Sequence, residues 1–193
     1  MYLIEWIKDI SIYLGFNQRE CNLLFLGLDN SGKTTCQELM QPFDPRSFQA
    51  THYYRGPLTF RVGRIKFNYF DLGGHKPVRR LWKDYLEGTE SVIFVVDASD
   101  LDRLEEAKEE LEKVREFYSS RKDVPILVLG NKIDKTGAIS EWGLRRRLNL
   151  PAERRQNRSI ELFMTSCLAR VGFKESLEWL SGFLEKKSVP RSQ

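Results

Sequence analysis

The sequence predicts an α/β fold: a six-stranded, mostly parallel sheet with one antiparallel edge hairpin and helices on both faces. Short apolar runs alternate with segments of helical periodicity along most of the chain. Most of those runs are apolar throughout, as strands covered on both faces must be. Val62-Gly63-Arg64 is a tight-turn signal between two of them, which makes that pair an antiparallel hairpin.

In order along the chain, residues 1–16 step round a helical wheel as an amphipathic helix. Leu3, Ile4, Trp6, Ile7, Ile10, Tyr13 and Leu14 fall on one half, and Glu5, Lys8 and Asp9 on the other. Gly15 and Asn17 mark its stop. Strands are expected over 22–26, 58–62, 65–70, 91–97, 124–130 and 160–164. Leu101, Leu104, Leu111, Val114 and Tyr118 line one face of a helix between the fourth and fifth strands. Phe173, Leu177, Leu180 and Leu184 define the last helix. The chain divides into the front helix (1–16), one globular domain (17–185) and a polar tail (186–193).

The 193 residues, 41% hydrophobic, 12% aromatic and 30% charged, exclude disorder and a transmembrane bundle. No apolar run approaches the roughly 20 residues that span a bilayer. Cys21, Cys36 and Cys167 are too few and too scattered for a disulfide framework or a zinc site, so free thiols in a reducing compartment are expected. The net charge of +4 is mild. Much of it lies between Glu141 and Ser159, where Arg145, Arg146, Arg147, Arg154, Arg155 and Arg158 face only Glu141 and Glu153. That stretch reads as a solvated helix and loop, with docking on anionic lipid or an acidic partner as the functional alternative. It lacks the aromatic interleaving of a nucleic-acid platform, so no nucleic-acid partner is expected.

Gly27-Leu28-Asp29-Asn30-Ser31-Gly32-Lys33-Thr34 fits G-x-x-x-x-G-K-S/T, with a strand entering it and a helical segment leaving it. The glycines let backbone N–H groups turn inward round phosphate oxygens, and the helix start adds its positive end. Lys33 is placed to reach the β- and γ-phosphates, and the Thr34 hydroxyl to ligate Mg²⁺.

Asn131-Lys132-Ile133-Asp134 follows a buried strand and so lies at the carboxyl edge of the sheet. Asp134 can accept two hydrogens from the guanine ring edge, which adenine does not offer. Asn131 can tether the phosphate loop, and the Lys132 stem can cover the base. Asp71-Leu72-Gly73-Gly74 closes the third strand. Asp71 can hold Mg²⁺, directly or through water. Gly74 can present its N–H to a γ-phosphate and flip when that group leaves. His75 stands next, where an attacking water must be oriented.

GLDNSGKTT, DLGGH, RRLWKDYL, GNKID and FMTSCLARVGFKESLEWL resemble the Sar subfamily of Arf-type small GTPases, from the first helix to about Phe183. The resemblance implies the P-loop GTPase fold over 17–185, GTP/GDP and Mg²⁺ as cofactors, and a switch that starts coat complex II assembly on the cytoplasmic face of the endoplasmic reticulum. Asn30, Ser31, Gly32, Lys33, Thr34 and Thr35 would wrap the phosphates. Asp29 would stand near the metal through water. Thr165-Ser166-Cys167 matches the family's last guanine loop, where Ser166 and the backbone N–H groups of Cys167 and Leu168 would serve the base. His75 takes the water-positioning place that glutamine holds in Ras-like proteins. Asp29 beside the γ-phosphate implies slow intrinsic hydrolysis and an arginine supplied by a partner, worth about 10³–10⁵ in rate.

The implied partners are a membrane lipid surface, inner-coat subunits of coat complex II that activate hydrolysis, and a membrane exchange factor. Arf proteins usually carry glycine at position two and are myristoylated, whereas here it is Tyr2. Reversible lipid binding is instead expected from Leu3, Ile4, Trp6, Ile7, Ile10 and Leu14, freed when GTP binds.

One stretch departs from the family. Gln49-Ala50-Thr51-His52-Tyr53-Tyr54-Arg55-Gly56-Pro57-Leu58 puts Gly56 where the family has its switch I threonine, with Thr51 as a shifted substitute. A GTP-binding scaffold with little turnover, an Arf-like switch at the Golgi or another membrane, and a nucleoside or small-molecule kinase are the alternative readings.

Overall fold

The computed structural model describes residues 19–40, 58–152 and 159–188. The front helix with its six lipid-facing residues, residues 49–57, Arg154, Arg155, Arg158 and residues 189–193 lie outside the described residues. Among those described, no helix is long and apolar enough to cross a membrane.

Six strands form one sheet: β1 (Arg19–Gly27), β2 (Leu58–Val62), β3 (Ile65–Asp71), β4 (Ser91–Asp97), β5 (Ile126–Asn131) and β6 (Ile160–Met164). Their order is β2-β3-β1-β4-β5-β6. Only β2–β3 is antiparallel, joined at Gly63 with φ 57°. The helices are α1 (Lys33–Glu38), α2 (Lys76–Arg79), α3 (Trp82–Leu86), α4 (Leu104–Phe117), α5 (Glu141–Arg147) and α6 (Phe173–Ser188).

The central strands are apolar throughout because both faces are covered. On β1, Leu24 and Leu26 point into a core with Trp82 of α3, Leu104, Leu111 and Val114 of α4, and Leu144 of α5. Leu23 and Phe25 point the other way, into a core with Cys36 of α1 and Phe173, Leu177, Leu180 and Leu184 of α6. The chain leaves β1 towards one side of the sheet and returns to β4 on the other. That reversal opens a crevice at the carboxyl end of β1, where open α/β sheets bind ligands. Register brings Gly27, Asp71, Asp97 and Asn131 to that edge: Phe25 pairs with Asp71, Gly27 with Val95, and Asp97 with Asn131.

The elements depart from expectation at a few ends. β5 begins at Ile126 rather than 124, because Pro125 has no N–H to donate and the Val124 N–H closes a turn onto Arg121. Leu101 does not join the buried face of α4. It sits on a 3₁₀ turn (Leu101–Arg103) and is 45% exposed. α6 runs to Ser188, past the expected boundary at 185.

The basic stretch is not simply solvated. Arg145 is buried, ion-paired with Glu161 and Glu141, and donates to the Pro151 carbonyl at 2.8 Å. An aromatic does lie within it: Trp142, 64% exposed, with the Arg146 guanidinium 4.7 Å above its ring.

Candidate nucleotide site

β1 ends where the chain must turn sharply, and Asn30 (φ 60°) and Gly32 (φ 97°) take left-handed conformations there. At Gly32 a Cβ would strike the Asn131 amide, so the loop needs glycine for close approach as well as for its φ. The buried Lys33 ammonium folds back along this loop, donating to the Gly27 carbonyl at 3.0 Å and the Leu28 carbonyl at 2.7 Å. Burial pushes its pKa down to about 8, against the opposing pull of Asp71 and Asp29. Among the described residues no carboxylate is ion-paired with it. The Ser31 hydroxyl in the same loop is buried without a partner. A buried cation without a counter-ion, beside an unsatisfied hydroxyl, fits a site that takes a polyanion.

The base side is assembled round β5. Asn131 is buried, and its side chain spans the site. Nδ2 donates to the Ser31 carbonyl at 3.1 Å, while Oδ1 accepts the Cys167 N–H at 3.1 Å. The Cys167 N–H is thus engaged by Asn131 rather than turned free toward a base. Lys132, at φ 67°, donates to the Asn30 carbonyl and pairs with Asp97 at 2.7 Å. Burial opposes ionisation of Asp97, but hydrogen bonds from Lys132 and Ser99 outweigh it and hold its carboxyl below the ordinary range. Asp134 is exposed and accepts a hydrogen bond from the Ser166 hydroxyl, which in turn accepts the Ala169 N–H. Leu168 stands 80% exposed just beyond.

One expectation is overturned here. Cys36 of α1 and Cys167 of the base loop form a disulfide, with their Cα atoms 5.5 Å apart across a sequence separation of 131. The fold closes that separation by laying α1 beside the loop after β6. Only Cys21 stays a free thiol.

The side of the site from Asp71 to Arg79 is held by charges. Gly74 lies directly on the phosphate loop, and a Cβ there would collide with the backbone of Gly27, Leu28 and Asp29. Its carbonyl accepts from Arg79 Nε at 2.6 Å. Arg79 is buried and reaches Glu106 at 2.9 Å, Glu110 at 3.5 Å and Asp29 at 3.4 Å. Arg103 pairs with Asp29 at 2.8 Å and Glu106 at 2.9 Å. Its hydrogen bond holds the Asp29 carboxyl below the usual carboxylate range, against some desolvation. In this structure, then, Asp29 is held by two guanidiniums. His75 is exposed at the start of α2, beside Gly74.

Thr34 and Thr35 are exposed and Asp71 is half-buried at the same sheet edge. Hydroxyl and carboxylate oxygens suit Mg²⁺. No cluster of three or more potential metal ligands exists among the described residues. The donor set therefore fits an ion that completes its shell with phosphate oxygens and water, as Mg²⁺ characteristically does.

A phosphate loop, a guanine-type tetrapeptide and a glycine seated on the phosphate loop at one sheet edge are what a small GTPase requires. Residues 7–184 match the ADP-ribosylation factor family. The chain belongs to that family. It is 34% identical to the small COPII coat GTPase SAR1 of Nicotiana tabacum, over 96% of this chain and 100% of that one. It is 35% identical to ADP-ribosylation factor 3 of Arabidopsis thaliana, over 90% and 93%. Among solved structures it is similar to the Arl6 BBS3 small GTPase of Trypanosoma brucei with bound nucleotide analogue GppNp. That match has a TM-score of 0.74 and 32% identity, covering 88% of this chain and 99% of that one. Members of the Arf family are small GTPases, which bind GTP and GDP and hydrolyse GTP.

Asp97, Arg79, Arg103 and Cys36 escaped the sequence reading. Asp97 left a signal, since it ends a buried strand in the same way as Asn131. The others carry no motif of their own.

Proposed function

We propose that this chain is the GTP-operated switch that starts coat complex II assembly at the endoplasmic reticulum, binding the membrane peripherally in its GTP state. The observation that carries this reading is His75. It follows Asp-Leu-Gly-Gly directly, lies exposed, and stands beside a glycine already seated on the phosphate loop. The sequence similarity to COPII coat GTPases over nearly the full chain supports it.

Lys33 holds the β- and γ-phosphates, and the inward N–H groups of residues 30–35 share them. Asp134, oriented by Ser166, reads the guanine edge, with Lys132 along the base and Leu168 at its rim. Thr34 and Asp71 would hold Mg²⁺, with Asp29 joining through water once released by its arginines; the ion when bound neutralises charge on the transferred phosphoryl group. Gly74 senses the third phosphate through its N–H. His75 orients the attacking water, and a coat subunit supplies the arginine that makes hydrolysis fast. Residues 1–16 embed in the lipid surface when GTP binds, and a membrane exchange factor reloads the site.

A second reading has its own support: Arf and Arl relatives at 32–35% identity point to a switch on another membrane. Flotation of the full chain with anionic liposomes, with GDP or GppNp and with or without purified inner-coat complex, separates the two. Co-flotation of chain and coat only with GppNp is expected. Flotation of the chain with GppNp that leaves the added coat behind favours the second reading, and nucleotide-independent behaviour overturns both.

A further inference from the structure

Two of the protein's three cysteines meet where the phosphate-loop helix touches the base loop. Cys36 lies three residues after Lys33, and Cys167 one residue after Ser166, the partner of Asp134. Both are buried and joined as a disulfide. Asn131 ties the same two segments by hydrogen bonds, to Ser31 on one and Cys167 on the other. A nucleotide in this site spans that junction, with its phosphates on Lys33 and its base on Asp134. The two segments hold its two ends, and where they part, hydrogen bonds can open but a covalent bond cannot.

We propose that Cys36 and Cys167 form a thiol–disulfide switch that controls nucleotide release: the disulfide locks nucleotide in, and the dithiol lets it exchange. This rests on the guanine-nucleotide reading of the site. The oxidant is a small-molecule disulfide of the glutathione type. One cysteine thiolate attacks it, forming a mixed disulfide and expelling one thiolate. The second cysteine thiolate then attacks the protein-bound sulfur and expels the other. Two electrons pass from the cysteine pair to the small disulfide, and the two protons lost by the cysteines appear on the two released thiols. The exposed part of this junction is the turn beside Cys167, where Leu168 and Val171 are 80% and 51% exposed, and the oxidant enters when that turn opens. The third cysteine takes no part. Cys21 is buried on β1 against Ser91, and burial raises its thiol to about 11.

The test uses the full chain loaded with mant-GDP and equilibrated with glutathione disulfide or with dithiothreitol. Thiol titration after denaturation should find one free thiol in the first case and three in the second. Release of mant-GDP into excess GDP should be about tenfold slower in the oxidised protein. Cys36→Ala should release quickly in both buffers. Three free thiols under glutathione disulfide, or equal release rates in the two states, overturn the proposal; if Cys36→Ala does not fold, the two states of the unaltered chain decide. Failure to bind mant-GDP in either state overturns the nucleotide reading itself, and the switch with it.

Discussion

The two halves of the candidate site are built from different forces. The base half, round β5 and the loop after β6, is tied by Asn131, by the Ser166–Asp134 hydrogen bond and by the Cys36–Cys167 disulfide. The phosphate-sensing half, from Asp71 to Arg79, is held by a ring of ion pairs among Asp29, Arg79, Arg103 and Glu106, with His75 left exposed. Recognition of a base benefits from a preorganised pocket, because little is then lost to ordering on binding. Sensing one phosphate requires an element with two arrangements of similar free energy, and the Arg103 pairs, partly exposed on both sides, are easily exchanged. The contrast supports the proposed roles, with specificity in the first half and switching in the second.

Damage to the base half should act on nucleotide choice. Asp134→Asn removes the carboxylate proposed to accept both guanine hydrogens. The preference for GTP over ATP is expected to fall by roughly 10²-fold or more, measured by competition against mant-GDP. An unchanged preference would move the specificity elsewhere.

Damage to the sensing half should leave that choice intact. His75→Ala is expected to slow single-turnover hydrolysis by about 10²-fold, the lower end for a group that positions or accepts a proton, while GTP affinity stays close to the unaltered value. A comparable loss of affinity would make His75 a binding residue.

Lys33 joins the halves and sharpens the contrast through pH. Burial lowers its pKa from 10.5 to about 8. Sign follows from proton counts: between those values the unfolded chain binds more protons than the folded one, so the empty protein gains stability as pH rises through this window. Bound phosphates favour the charged ammonium, so binding takes up a proton above pH 8. GTP affinity should therefore fall as pH rises from about 8, by up to tenfold per unit, while stability of the empty protein moves the opposite way. Parallel changes in the two would contradict this.

The smallest effect belongs to the ion-pair ring. Arg103 and Asp29 are each about one-third exposed. Arg103→Gln is expected to lower stability by only about 0.2–1 kcal/mol, less in high salt, as read from denaturant midpoints. The depressed Asp29 carboxyl contributes stability above the ordinary carboxylate range and loses it as pH falls through the lowered folded value.

How much was legible in the sequence follows the same divide. The phosphate loop, Asn131 to Asp134 and Asp71 to His75 are contiguous, and each follows a strand, so local pattern alone placed them at one sheet edge. The six strands and the one antiparallel hairpin were legible too, since runs such as 91–97 are apolar throughout and the Gly63 turn is explicit. The ion-pair ring was not. Asp29, Arg79, Arg103 and Glu106 come from four segments, and surface charge has no periodicity that announces a partner. The disulfide was missed for a related reason: with three cysteines scattered along the chain, only the packing of α1 beside the base loop selects Cys36 and Cys167. Leu101 was misread because a 3₁₀ turn shifts its direction away from the α-helical face that its spacing suggested.

Competition of GTP against ATP for the mant-GDP-loaded full chain tests most directly whether a prebuilt base pocket at the carboxyl edge of β5 reads guanine. GTP is predicted to displace the probe at micromolar levels while ATP in large excess does not. Equal displacement by the two nucleotides would contradict the account.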